Sequence, residues 1–148
     1  MLIDLAEENC DENHFGWYLR DIYGMKKTTA RREDYLKLIY KLSQKGEVRG
    51  SDIADGLEVT RPTVSVCLRR LMEDGDVTMD RHRVVHLTEQ GREIAESTQR
   101  KHNFLAEMLV SLGVPEDIAA EDACGMEHNL SAESYEALKR LMDEKSGK

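Results

Sequence analysis

The segment EDACGMEHNL sets Cys124, Glu127 and His128 at i, i+3 and i+4, so a helix through it gathers a thiol, a carboxylate and an imidazole on one face. Glu121 stands one turn earlier on the same side, and His102 falls on the inward stripe of the preceding helical stretch, where its imidazole could face this cluster. Mixed sulfur, nitrogen and oxygen donors suit a divalent first-row transition ion, whereas Mg and Ca favour all-oxygen shells. Each residue alone has a plainer use. A helical Cys is commonly a small buried hydrophobe, a His on an apolar stripe is commonly a hydrogen-bonded core residue, and Glu127 and His128 could face solvent. Gly125, which costs a helix about 1 kcal/mol, suggests close packing at this point. The convergence of donors, more than any one of them, favours a metal site. Cys124 with His128 or His102 also has the makings of a nucleophile and base, but no oxyanion loop accompanies them and the module described next would be left without a role.

The elements that must hold these residues are mostly helical. Tyr35, Leu38, Ile39 and Leu42 repeat at i, i+3, i+4 and i+7, which predicts a helix from Thr29 to near Gly46. Ser51 is placed to cap a short helix over 52–57, and Thr60 to cap a third over 61–74, with Pro62 in its first turn and Val64, Leu68 and Leu71 facing inward. Two short helices joined by a tight turn with Val59 inside it make a helix-turn-helix. Residues 75–79 and 83–87 read as strands around a charged tip, Asp80-Arg81-His82, and a helix-turn-helix followed by such a hairpin is a winged helix. In that arrangement the third helix enters a DNA major groove while wing-tip cations reach phosphate. Arg61, Thr63, Ser65, Arg69, Arg81 and Arg83 are the candidate contacts, although any one of them also fits the solvated face of an amphipathic helix. Thr88 then caps a long helix over 89–112 with Ile94, Thr98, His102, Leu105, Leu109 and Leu112 along one face, ended by Gly113-Val114-Pro115. A helix over 115–129 follows, and Ser131 caps a last one through Tyr135, Leu138, Leu141 and Met142.

Composition agrees with this outline. The 148 residues hold 40% hydrophobic and 34% charged side chains and only two prolines, as a folded, mainly α chain should. The net charge is −8, yet residues 26–92 carry 14 Lys and Arg against 11 Asp and Glu, so the winged helix is the basic part of an acidic protein. A local patch of this kind can meet phosphate whatever the total charge. No apolar run approaches the ~18 residues of a membrane span, and the first residues are acidic where a signal peptide is basic; a cytoplasmic protein without membrane contact is expected. Three scattered cysteines argue against a disulfide framework or zinc ribbon. Residues 1–28 read as an N-terminal extension, in which Cys10, Asp11 and His14 look metal-like but fit a flexible acidic leader.

The stretch TTARREDYLKLIYKL, the helix-turn-helix SDIADGLEVTRPTVSVCLRRLMEDGDV, the run VVHLTEQGREIAE, the RKH of residues 100–102 and the run LGVPEDIAAEDACGMEHNLS together resemble the metal-dependent repressors of the DtxR/MntR family. The resemblance covers residues 28–142 in unbroken order. It implies a winged helix-turn-helix DNA-binding domain over 29–90, followed by an all-helical metal-binding and dimerisation domain over 91–148, without the SH3-like domain of longer members. It further implies a homodimeric repressor, not an enzyme, activated by Mn(II) or Fe(II) and bound to double-stranded DNA at a palindromic operator near metal-uptake genes. Carried over by motif, Asp34, His102, Cys124, Glu127 and His128 are metal ligands, with Glu121 a further candidate, and Thr60 and Pro62 join the groove-facing residues. Asp34 would be the one ligand in the DNA-binding half. The match departs from the manganese-type pattern at Lys37, where a Glu ligand stands, at Cys124 in place of a Glu, and at Asn129 in place of a second His. Cys124 is the iron-type residue, and Ala106 stands where iron-type members often carry an ancillary Glu. Mn(II) and Fe(II) therefore both stay open, with other divalent transition ions expected to bind in vitro, as does the count of one or two ions per chain. The alternative reading is a metal-independent winged-helix regulator that senses a small molecule or an oxidant.

Overall fold

A computed structural model describes residues 28–147. The expected extension, with Cys10, Asp11 and His14, lies outside the described residues. The elements run α1 (Thr28–Ser43), α2 (Gly50–Leu57), α3 (Arg61–Glu73), β1 (Val77–Met79), β2 (Val85–Leu87), α4 (Glu89–Ser111), α5 (Glu116–Glu127) and α6 (Ala132–Lys145). The mainly α winged-helix architecture expected from the sequence is the one observed, and among the described residues no helix is long and apolar enough to cross a membrane.

Helix α1 packs on α2, on β2 and on α4, so it buries more than one stripe. Tyr35, Leu36 and Ile39 are buried while Leu38 and Leu42 are only partly so. They meet Ile53 and Ala54 of α2 and the inward stripe Val64, Leu68 and Leu71 of α3 in one core that extends to Val77, Val85 and Ala95. Thr60 caps α3 as expected, its hydroxyl accepting from the Thr63 amide. Ser51 does not cap α2. The helix begins at Gly50, and Asp52 instead folds back to accept the Arg49 amide at 2.8 Å, satisfying an N-terminal donor from inside the first turn.

The wing is antiparallel, with Val77 opposite Leu87 and Met79 opposite Val85. Its strands are shorter than expected because one Asp80 carboxylate oxygen accepts from the amides of His82 and Val84, closing a turn in which Arg83 takes the left-handed φ of 62°. Thr88 caps α4 through the Gly91 amide and also donates to the Gly75 carbonyl at 2.7 Å. Gly91 is required there: a Cβ would lie 2.0 Å from the Asp76 carbonyl oxygen, so only glycine lets α4 start against the root of the wing. Asp76 itself is fully buried and takes Arg32 of α1 in a two-pronged ion pair at 2.6 and 2.7 Å, with Gln90 at 2.8 Å.

A second core joins Leu105 and Met108 of α4 to Ala123 of α5, with Phe104, Met126, Leu138 and Met142 against it. The expected inward stripe of α4 therefore shifts at its end. The helix stops at Ser111, Gly113 turns the chain at φ 94°, Leu112 is left 60% exposed, and Met108 takes the inward place.

Candidate functional site

Three helices converge on one buried carboxylate. Glu127 is 1% exposed at the end of α5, and its Oε2 lies 2.9 Å from Nδ1 of His102 on α4. Its Oε1 lies 2.5 Å from Nζ of Lys37 on α1 and 3.1 Å from Nε2 of His128. His128 in turn sits between two neighbouring carboxylates of α1, with Nε2 2.8 Å from Asp34 Oδ1 and Nδ1 2.7 Å from Glu33 Oε2. Ligand atoms of Asp34, Cys124 and Glu127 all fall within 4.8 Å of one another. Glu121 is exposed and stands outside that group.

Local structure explains the placement. Glu116 and Asp117 occupy the first turn of α5, where acidic side chains complement the helix dipole. The helix ends two residues sooner than its predicted span of 115–129, so His128 is its cap and not an interior residue. The chain there remains close enough to helical for His128 to keep the face of Cys124 and Glu127. Asn129 closes the end by donating to the Gly125 carbonyl at 2.8 Å. The close packing expected at Gly125 is not found, since an added Cβ would meet nothing within 4 Å; the glycine faces open space.

Burial disfavours charge on both Glu127 and His128. Hydrogen bonds overrule it. Those from His128 and Lys37 hold the Glu127 carboxyl below its usual range, and those to Asp34, Glu127 and Glu33 push the His128 imidazole up to about 11. Cys124 is exposed as a residue, yet desolvation of its sulfur, opposed by Lys37 and aided by the charges of Glu127 and Asp34, pushes the thiol up. Three carboxylates thus face one imidazolium and one ammonium, which leaves the cluster one net negative charge. The donor set of carboxylates, imidazoles and a thiol fits a divalent transition ion, which would take over the neutralising work of the His128 proton.

A second surface lies between α3, the start of α2 and the wing, where a groove of about 450 Å³ is lined by Arg49, Arg61, Ser65, Arg69 and Arg83 among others. Thr60, Arg61, Pro62, Ser65, Arg69, Arg81 and Arg83 are exposed, while Thr63 is half-buried and shares a 2.8 Å hydrogen bond with the Thr60 hydroxyl. Sequence reasoning missed Arg49, whose guanidinium donates to the His82 carbonyl at 3.2 Å and joins the start of α2 to the wing tip. It also missed Glu33, although a second carboxylate beside Asp34 was a signal, and it did not pair Lys37 with Glu127.

Residues 27–85 match the family described as iron dependent repressor, N-terminal DNA binding domain, and residues 88–146 its metal binding and dimerisation domain. The transcriptional regulator MntR of Escherichia coli O6:H1 is 40% identical over 116 residues, 78% of this chain and 74% of that protein. The chain belongs to the iron-dependent repressor family. The HTH-type transcriptional regulator MntR of Bacillus pumilus, another relative, is 34% identical over 78% of this chain and 81% of its own length. Among solved structures, the manganese regulator SloR superposes with a TM-score of 0.68 at 32% identity over 76% of this chain. A manganese-dependent transcriptional repressor in complex with manganese gives 0.65 at 32% identity over 78%. The chain spans about half the length of those two structures, 53% and 52%. The resemblance drawn from the motifs is therefore the family found by comparison, and its two matched regions meet between 85 and 88, beside the cap of α4.

Proposed function

We propose that this chain is a metal-activated transcriptional repressor of metal-homeostasis genes, working as a cytoplasmic homodimer on a palindromic duplex, with Mn(II) or Fe(II) as its ion. The observation that carries this reading is the meeting of Asp34, from the DNA-binding half, with Cys124 and Glu127 of the helical half within 4.8 Å. Asp34, His102, Cys124, Glu127 and His128 would hold the ion, with Glu121 one turn away. The ion, when bound, supplies two positive charges shared by donors from both halves. Every other part of the device belongs to the chain. Glu33 holds Nδ1 of His128 so that Nε2 faces Asp34, the arrangement by which an outer partner fixes an imidazole for ligation. His128 and Cys124, as ligands, would each give up a proton to solvent. Residues 29–90 then present α3 and residues 91–148 fix its position. Thr60, Arg61, Pro62, Thr63 and Ser65 face base edges, with Arg69, Arg81 and Arg83 nearer phosphate.

Val110, Leu112 and Ile118 leave apolar side chains exposed at the corner between α4 and α5, in the half matched to a dimerisation domain. A two-fold pair built there would offer two α3 helices to half-sites one helical turn apart. Because coupling is reciprocal, DNA must raise metal affinity by the factor by which metal raises DNA affinity. The test is fluorescence anisotropy with a duplex enriched from a random pool in the presence of Mn(II). Binding that chelator abolishes and Mn(II) restores is the expected result; binding indifferent to chelator would leave a metal-independent regulator in its place.

A further inference from the structure

Lys37 is a cation that the site carries for itself. Its Nζ lies 2.5 Å from Glu127 Oε1, its side chain is 15% exposed, and the carboxylate it meets is not exposed at all. It stands one turn after Asp34 on α1, a helix anchored on both sides of this position by the fully buried Leu36 and Ile39, so its charge is tethered to the face that supplies Asp34. The other oxygen of Glu127 is engaged by His102. We propose that the Lys37 ammonium limits this centre to one divalent ion per chain and weakens the binding of that ion, so that the protein answers only to a high metal concentration.

This rests on the metal-binding reading above, and the argument is one of charge and place. Glu33, Asp34 and Glu127 bring three negative charges to His128 and Lys37. Lys37 cancels one of them permanently, leaving two carboxylate charges, and that of Cys124 once it ligates, to draw metal. A second ion sharing Glu127 would need a further donor from α1, and beside Asp34 the other side chain that α1 places at Oε1 is a cation. An opposite charge within about 4–6 Å lowers the proton affinity of a carboxylate by 1–3 units, tenfold or more, and the same ammonium, like in charge to a metal ion, opposes a doubly charged ion at that carboxylate at least as strongly.

The experiment is an anaerobic calorimetric titration of the full chain, treated with chelator, with Mn(II) alone, on the wild type, Lys37→Met and Lys37→Glu, with circular dichroism to verify helix content. The wild type should take one ion per chain. Lys37→Met should take one with affinity raised at least about tenfold, and Lys37→Glu should take two, with spin coupling between them in the paramagnetic resonance spectrum. A role confined to folding would raise neither affinity nor stoichiometry. Two ions in the wild type, unchanged or weaker binding in Lys37→Met, or a single ion in Lys37→Glu would overturn the inference while leaving the metal reading intact. No saturable uptake by any of the three chains would bring down both. Should Lys37→Met lose its helical signal, Lys37→Gln, which keeps a hydrogen-bond donor toward Glu127, decides the affinity arm.

Discussion

Asp34→Asn removes one negative charge from α1 while keeping the shape of the side chain. The Asp34 Oδ1 atom lies 2.8 Å from His128 Nε2, and a ligand atom of this residue falls within 4.8 Å of those of Cys124 and Glu127. At an effective dielectric of about 20, a unit charge and a divalent ion as much as about 5 Å apart, the outer limit for an ion among ligand atoms 4.8 Å from one another, already interact by about 7 kcal/mol. Asp34 is 37% exposed, and the amide oxygen keeps part of its donor strength, so water and the amide together return roughly half. The expected loss is about 3 kcal/mol, or on the order of 100-fold in metal affinity. A second consequence separates Asp34 from the other candidates. Cys124 and Glu127 lie on α5, His128 caps it and His102 lies on α4, whereas Asp34 belongs to the half that holds α3. In Asp34→Asn the DNA affinity should therefore remain near its chelated value even when Mn(II) is raised to saturation. In Cys124→Ala, which leaves Asp34 in place, saturating Mn(II) should restore most of it. The assay is duplex anisotropy across a Mn(II) series extending at least about 100-fold beyond the wild-type midpoint. Full metal-driven DNA affinity in Asp34→Asn would refute the view that Asp34 links the halves.

Three further outcomes are expected. Glu33→Gln keeps a hydrogen-bonding group near His128 Nδ1 but loses its charge, so metal affinity should fall about 10- to 100-fold with the stoichiometry unchanged; titration with Mn(II) measures it, and an unaltered affinity would make Glu33 a bystander. Arg32→Met strands the fully buried Asp76 with Gln90 as its remaining side-chain partner among the described residues. Because Arg32 is a third exposed, the cost should be about 2–3 kcal/mol, at the foot of the range for a broken buried pair, and calorimetry should show Tm lower by roughly 6–12 °C. A drop smaller than about 2 °C would mean that water replaces the guanidinium. At the wing tip, the hydrogen bond from His86 and the amides of Val84 and His82 hold the Asp80 carboxyl below its usual range. A depressed acid stabilises the fold above its unfolded pKa and ceases to do so as pH falls through the folded value, so the turn should hold above about pH 4 and loosen below it. Amide shifts of His82 and Val84 in an acid titration follow this directly, and the same titration in Asp80→Asn should be flat.

Sequence periodicity revealed whatever depends on neighbours a few residues apart. Val64, Leu68 and Leu71 face the core because a helix repeats every 3.6 residues, and Thr60, Thr88 and Ser131 cap because their hydroxyls reach an amide three residues on. The spacing of Cys124, Glu127 and His128 likewise states which groups share a face. It does not state what that face meets. Asp34 entered the reading only through the family resemblance, since nothing between residues 34 and 128 encodes their approach. Glu33 was harder still. Consecutive helical residues point about 100° apart, so Glu33 and Asp34 would be assigned to different surroundings, yet the His128 ring enters between them and offers one nitrogen to each. The missed cap of α2 has a similar origin, because the helix starts at Gly50, which puts Ser51 inside the first turn and lets Asp52 reach back to the Arg49 amide, a start that spacing alone leaves undecided. Lys37 brings the point to the chemistry. On α1 alone it is an ordinary basic residue of an amphipathic helix, and beside the family pattern it is a departure. Only the 90 residues separating it from Glu127 in sequence, closed to 2.5 Å in the fold, turn its charge into part of the site, and a charge so placed must act on any cation that the same carboxylate binds.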